Sequence, residues 1–124
     1  MKRWVWSLFI LGLGVATPMN APPVADAGPD QTVDEQSIVT LEGLGSTDPD
    51  GSIRQYAWAQ LSGPPVTLLP TFTRPTPQFV APAVTTDTVL TFQLTVWDNS
   101  FLSSSDTVSI TVRDVSLLGP TEPR

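Results

Sequence analysis

Carboxylates are the side chains of this sequence best placed to do chemistry. The stretch Ser46-Thr47-Asp48-Pro49-Asp50-Gly51 carries two of them in a turn-forming run, and Val96-Trp97-Asp98-Asn99 ends a strand-like run on a third. A fourth, Asp26, lies ahead of the first strand-like residues. Oxygen donors without nitrogen or sulfur suit a hard cation, and calcium is the hard cation that extracellular modules hold at acidic loops. Histidine and cysteine are absent and the sole lysine is Lys2. A Ser-His-Asp triad, a thiol nucleophile, a His/Cys zinc site and a Schiff-base amine are therefore excluded from the body of the chain. A carboxylate pair such as Asp48 and Asp50 is also the kit of a glycosidase. Here the pair shares one short loop, and a chain of 124 residues leaves little room for a cleft around it. The composition reads as non-catalytic.

The elements that position these acids are strands. The parity is clearest in Thr88–Asp98, where Leu90, Phe92, Leu94 and Val96 alternate with Thr91, Gln93, Thr95 and Trp97. Such period-2 alternation is the mark of a half-buried strand. Residues 107–113 repeat it with Val108, Ile110 and Val112 inward. Residues 32–33, 37–43, 53–61, 66–69 and 78–81 supply the other runs, separated by Gly, Pro, Asn and Asp. These predict an all-β, immunoglobulin-like β-sandwich of about seven antiparallel strands. Tyr56 and Trp58 share the inward parity, and Trp58 is expected in the core. Residues 100–105 read as a turn-rich link.

The ends read differently. Met1-Lys2-Arg3 is a basic head, residues 4–16 are almost unbroken in apolar character, and polar residues follow. That is the pattern of a secretory signal peptide, and the run is short for a membrane span. An uncleaved N-terminal anchor is the competing reading. The expected organisation is a signal peptide and the start of a linker over residues 1–21, one domain over 22–115, and a flexible tail over 116–124. The Pro-rich linker over 17–23 is expected to be loosely ordered. Removing Lys2 and Arg3 leaves four basic residues against twelve acidic ones, a net charge of −8. Such a surface repels nucleic acid, which binds through Lys and Arg. The expected location is secreted, extracellular or periplasmic, with no stable membrane span in the mature chain.

Several motifs in order carry a family resemblance. Ala25-Asp26-Ala27-Gly28-Pro29-Asp30-Gln31-Thr32-Val33 resembles the opening of a polycystic kidney disease (PKD) domain of the bacterial type. Val39-Thr40-Leu41-Glu42-Gly43-Leu44-Gly45-Ser46-Thr47-Asp48-Pro49-Asp50-Gly51 is similar to its second strand and following loop. Tyr56-Ala57-Trp58-Ala59-Gln60-Leu61-Ser62-Gly63-Pro64 and Leu94-Thr95-Val96-Trp97-Asp98-Asn99 resemble its third and sixth strands. The resemblance covers residues 24–114. It implies an immunoglobulin-like sandwich serving as a spacer, adhesive or substrate-handling accessory. The Trp-Asp-Phe-Gly-Asp-Gly signature of many members is absent after Trp58, which suggests the receptor-for-egg-jelly-like branch. Trp97 stands where a small polar residue is more usual.

Sandwich topology then brings the loop after the second strand and the turn after the sixth to one pole, beside the segment entering the first strand. Asp26, Asp48, Asp50 and Asp98 are expected to converge there as a weak calcium site. The same residues also suit plain tight turns. Trp97, outward by parity, is the candidate ligand-binding residue, on a face with Gln55, Gln93, Thr95 and Thr111. Covering of the loop at Phe101 and Leu102 is its other reading. The expected partner is a protein or a polysaccharide at the cell surface. A carbohydrate-binding accessory module is the alternative to a spacer or adhesion domain.

Overall fold

The computed structural model describes residues 8–11, 15–18 and 20–116. Eight strands run through them, and no helix is present among the described residues. Strands β1 (Leu8–Leu11) and β2 (Val15–Pro18) pair antiparallel as a sheet of their own. The proposed signal segment falls on these residues and on others outside the described set.

The domain is built from six strands: β3 (Gln31–Asp34), β4 (Ile38–Thr40), β5 (Ile53–Ser62), β6 (Gln78–Val80), β7 (Thr88–Asp98) and β8 (Ser103–Arg113). One layer is the four-stranded sheet β3-β8-β7-β5, and the other is the pair β4-β6. The alternation read from sequence places the core between them. Leu90, Phe92, Leu94 and Val96 of β7 and Val108, Ile110 and Val112 of β8 are buried against Val39, Leu41, Phe79 and Ala81 of the smaller layer. Phe79 and Phe92 bridge the layers with ring centroids 5.1 Å apart. Trp58 lies in this core, 3% exposed. Its ring sits where the backbone of Gly43 passes: a Cβ at 43 would lie 3.3 Å from Trp58 Cζ2 and 2.8 Å from the Pro75 carbonyl oxygen.

The structure corrects four expectations. The pairs are not all antiparallel, because β3 runs parallel to β8. The chain enters beside Thr47, where Val24 forms an isolated bridge, and then crosses to the larger sheet. It leaves that pole in the same direction as β8, which starts there opposite Trp97. Alternation encodes which face a residue takes and not which way its strand runs. Asp30, accepting the Ser109 N–H at 2.9 Å, and the Asp34–Arg113 ion pair fasten this parallel edge.

Residues 66–69 form no strand. The Gln60 side chain takes the Val66 N–H, and only Leu69 bridges to Gln78. Pro64, Pro65 and Pro70 around the segment cannot donate to a ladder. The link expected over 100–105 is shorter than the sequence suggested, since β8 starts at Ser103. Its serines lack an apolar inward row, so the alternation that marks a strand is silent there. Finally, the end of the Pro-rich linker belongs to the fold: Ala21 is 2% exposed and Pro23 is fully buried.

Candidate functional site

Asp98 continues the inward row of β7: Leu90, Phe92, Leu94, Val96, Asp98. Strand parity therefore carries a carboxylate to the end of the core, where it is 1% exposed. Its Oδ1 accepts the Ser100 N–H at 2.8 Å and the Leu102 N–H at 2.9 Å. The backbone of the turn closes on the same residue, with the Phe101 N–H on the Asp98 carbonyl at 3.0 Å. Phe101 pays for this tight turn with a φ of +66°, a region bulky residues seldom adopt, and its ring stands 70% exposed under the Arg54 guanidinium.

Ile53, the first residue of β5, pairs with Asp98, so the loop that precedes β5 arrives at the same place. Asp48, Asp50 and Asp98 each present a carboxylate oxygen within 4.8 Å of the others. Among the described residues both oxygens of Asp48 are closed to solvent and neither takes a well-formed hydrogen bond, the Asp50 N–H being the one donor that acts on the carboxyl. Burial first, then the adjoining Asp50 carboxyl and the charge of Asp98, pushes the Asp48 carboxyl above its ordinary value of 3.8, and the Asp50 N–H opposes the rise without cancelling it. A carboxylate closed to water with so little donation to it is costly, and two like charges beside it make it costlier. A cation among the three groups removes both penalties.

Two further residues frame the cluster. A Cβ at Gly51 would lie 2.5 Å from Asn99 Oδ1 and 2.9 Å from Asp48 Oδ2. The space kept open by this glycine is bounded by an amide oxygen and a carboxylate oxygen. Asn99 Oδ1 accepts only a long bond, 3.4 Å, from the Ser52 N–H. Asn99 thus adds a further oxygen at the pole, next to Asp98 at the strand end. Its place next to Asp98 in the turn was the available signal. The residues present fit calcium: oxygen donors only, several carboxylates and a neutral amide oxygen. Asp48, Asp50 and Asp98 could hold the ion with Asn99 beside them, and its charge would offset the repulsion among the three carboxylates.

Asp26 stands apart from this group. Its Oδ1 accepts the Gly28 N–H at 2.8 Å, and its backbone N–H donates to Ser46 Oγ. It closes the turn in which Gly28 takes a φ of +80°. Topology brings Asp26 to the neighbourhood of the β4–β5 loop, but its Oδ1 is held in its own local turn, its Oδ2 faces Gly45, and it is not one of the three acids within 4.8 Å of one another. Trp97 lies on the outer face of β7, half-buried, in register with Gln55 on one side and Ser103 on the other.

A groove of about 670 Å³ lies elsewhere, between β5 and residues 66–72, lined in part by Trp58, Gln60 and Phe72. The Trp58 Nε1–H beside it is buried without an acceptor.

Comparison with known proteins agrees with this architecture. The sequence model of the family described as "K319L-like, PKD domain" matches residues 27–112. Human low-density lipoprotein receptor-related protein 11 is 38% identical over 94 residues, which are 75% of this chain and 18% of that protein. The chain thus spans under a fifth of the length of that relative. The solution structure of the PKD domain from the KIAA 1837 protein is 31% identical, with a TM-score of 0.63 over 85% of this chain and 98% of that one. The PKD1 domain of Vibrio anguillarum Epp has a TM-score of 0.57 at 24% identity, over 77% of this chain and 99% of that one, and is alike in fold. The chain belongs to the PKD domain family, immunoglobulin-like modules that are in general non-catalytic, extracellular and interaction-related.

Proposed function

We propose that this chain acts outside the cytoplasm as a PKD-type spacer and protein-contact module, stabilised by calcium bound at the Asp48–Asp50–Asp98 pole. The observation that carries the reading is the Asp48 carboxylate, both oxygens closed to solvent and without a well-formed hydrogen bond, beside two other acids. A counter-charge from within the protein would have to be an Arg or Lys, and the one salt bridge among the described residues, Asp34–Arg113, lies at the β3–β8 edge. Calcium supplies the missing charge and ties the β4–β5 loop to the β7–β8 turn. The module then presents a stiff pole to whatever it contacts. A polysaccharide partner rests on Trp97 as a stacking platform, and a half-buried ring flanked by Gln55 and Ser103 supports that reading less.

Thermal melts of the protein in calcium and in chelator test the proposal. With free calcium at ten times the dissociation constant, the expected gain is about 1.4 kcal/mol. That separates the melting temperatures by several degrees in a domain of this size. Magnesium at equal concentration does less, because it demands a tighter octahedral shell. Superimposable melts at several millimolar calcium would leave the acids as turn formers only.

A further inference from the structure

Strand register lines up the outward side chains of the larger sheet in cross-strand rows. Ala57, Thr95 and Ser105 make one row, and Ala59, Gln93 and Thr107 the next. The Thr95 and Ser105 hydroxyls bond to each other at 2.9 Å. Along β8 every outward residue from 103 to 111 is Ser or Thr. Along β5 and β7 the outward residues from 55 to 59 and from 89 to 97 carry no ionisable group. All of these residues are exposed or half-buried. The chain holds twelve acidic residues against six basic ones. Among the described residues the acids fall in loops, at strand ends or, as Asp106, on the inward parity, where Asp106 accepts the Ala27 N–H. The Asp34–Arg113 ion pair at the margin of the face is closed on itself.

The cores of protein interfaces are depleted of charge, because an ion loses its hydration on contact. A sheet face kept free of charge in so acidic a chain meets that condition. The outer face of β4-β6, three residues on each strand, is far smaller. Ser and Thr hydroxyls and the Gln amide each donate and accept hydrogen bonds. The face is therefore complementary to itself, and it offers no counter-charge to a strongly basic or acidic partner. Trp97, on the same face, adds an aromatic ring of the kind on which contact energy concentrates. We propose that this face is where two copies of the chain meet, sheet against sheet across a two-fold axis. Such an isologous contact requires a self-complementary patch, which this face supplies. The pairing goes beyond the spacer and protein-contact reading and is independent of the calcium pole. Each copy carries a net charge of −6, so approach is repulsive, and salt that screens the charges strengthens the pair. A contact made by ion pairs responds in the opposite way.

Sedimentation equilibrium of the full chain from micromolar to millimolar concentration, at low and at high sodium chloride, tests the proposal. Wild type should show a monomer–dimer equilibrium that tightens as salt rises. Gln93→Glu replaces an amide by a carboxylate of the same shape, and a two-fold contact receives that charge twice. It should weaken the dimer about tenfold or more. Thr107→Glu, in the same row, should do likewise, and it decides if Gln93→Glu does not fold. Gln78→Glu adds the same charge to the outer face of β6 and should leave the dimer constant within about twofold of wild type. A wild type monomeric throughout would overturn the proposal. So would a dimer left intact by Gln93→Glu and Thr107→Glu, because its contact would lie elsewhere, at the apolar residues 4–16 for example. Equal weakening by Gln78→Glu would mark an effect of net charge alone and would overturn it too. The calcium melts stand or fall separately from all of these results.

Discussion

Replacing Asp48 with Asn changes one atom and removes one charge from a place where three carboxylates come within 4.8 Å. At that separation two unit charges repel by roughly 0.9 kcal/mol in bulk water and roughly 3.5 kcal/mol at an effective dielectric of about 20. The pair with exposed Asp50 belongs near the lower figure because solvent screens it. The pair with buried Asp98 belongs higher. A net relief of about 1–3 kcal/mol is expected in chelator. The new amide also brings N–H donors that Asp50 or Asp98 can accept. Asp48→Asn should therefore melt above wild type in chelator, by about 4–8 °C for each kcal/mol. In calcium the order should narrow or invert, because wild type gains from the ion and the variant, short of one ligand charge, gains little. The assay is a set of four melts, two proteins by two conditions, at one pH and ionic strength. A variant that melts below wild type in chelator, with an unchanged calcium shift, would show that Asp48 makes a stabilising contact unrelated to a cation.

Other expectations follow from single observations. Trp58→Ala should cost about 3–5 kcal/mol by chemical denaturation, the usual loss for a buried aromatic, and Trp97→Ala much less; equal losses would place Trp97 in the core as well. Gly51→Ala puts a methyl group against Asn99 Oδ1 and Asp48 Oδ2, and should reduce the calcium shift while leaving the strand signature of the circular dichroism spectrum unchanged. The pH dependence in chelator should also carry a signature. The Asp48 value is raised in the fold, so its charge destabilises above that value, and the loss is recovered as pH falls through it towards 3.8. Melting temperature should rise on mild acidification, and Asp48→Asn should abolish the rise. Asp114 acts in the opposite sense. The Ser116 hydroxyl and N–H lower its value, so its contribution is present above 3.8 and is lost as pH falls through the lowered value.

Much of this fold was legible because alternation reports facing. The row Leu90, Phe92, Leu94, Val96 points inward by parity, and the next residue of that parity is Asp98, so the buried acid could be read from spacing alone. The loop carrying Asp48 and Asp50 was legible as the connection into the strand of Tyr56 and Trp58, and the resemblance to PKD domains supplied the topology that joins the two loops. What alternation does not report is strand direction, which is why the parallel β3–β8 pair was missed. Nor does it report side chains that satisfy their own turn. Asp26 has the right type and the right neighbourhood, yet its carboxylate closes on the Gly28 N–H two residues on. Asn99 went unread as a ligand because an amide beside a carboxylate looks like ordinary turn chemistry until Gly51 is seen against it. The docking of Ala21 depends on a contact across 29 residues, which no local pattern encodes.

If a divalent cation belongs at the pole of Asp48, Asp50 and Asp98, calcium must bind the free protein there. A calorimetric titration of the full chain with calcium chloride tests it most directly, run beside the same titration of Asp98→Asn. One saturable site is expected in the wild type, with a dissociation constant on the order of 0.1–1 mM as for other extracellular modules, and no saturable heat in the variant. A wild-type titration with no saturable heat up to several millimolar calcium, or an Asp98→Asn titration indistinguishable from wild type, would contradict it.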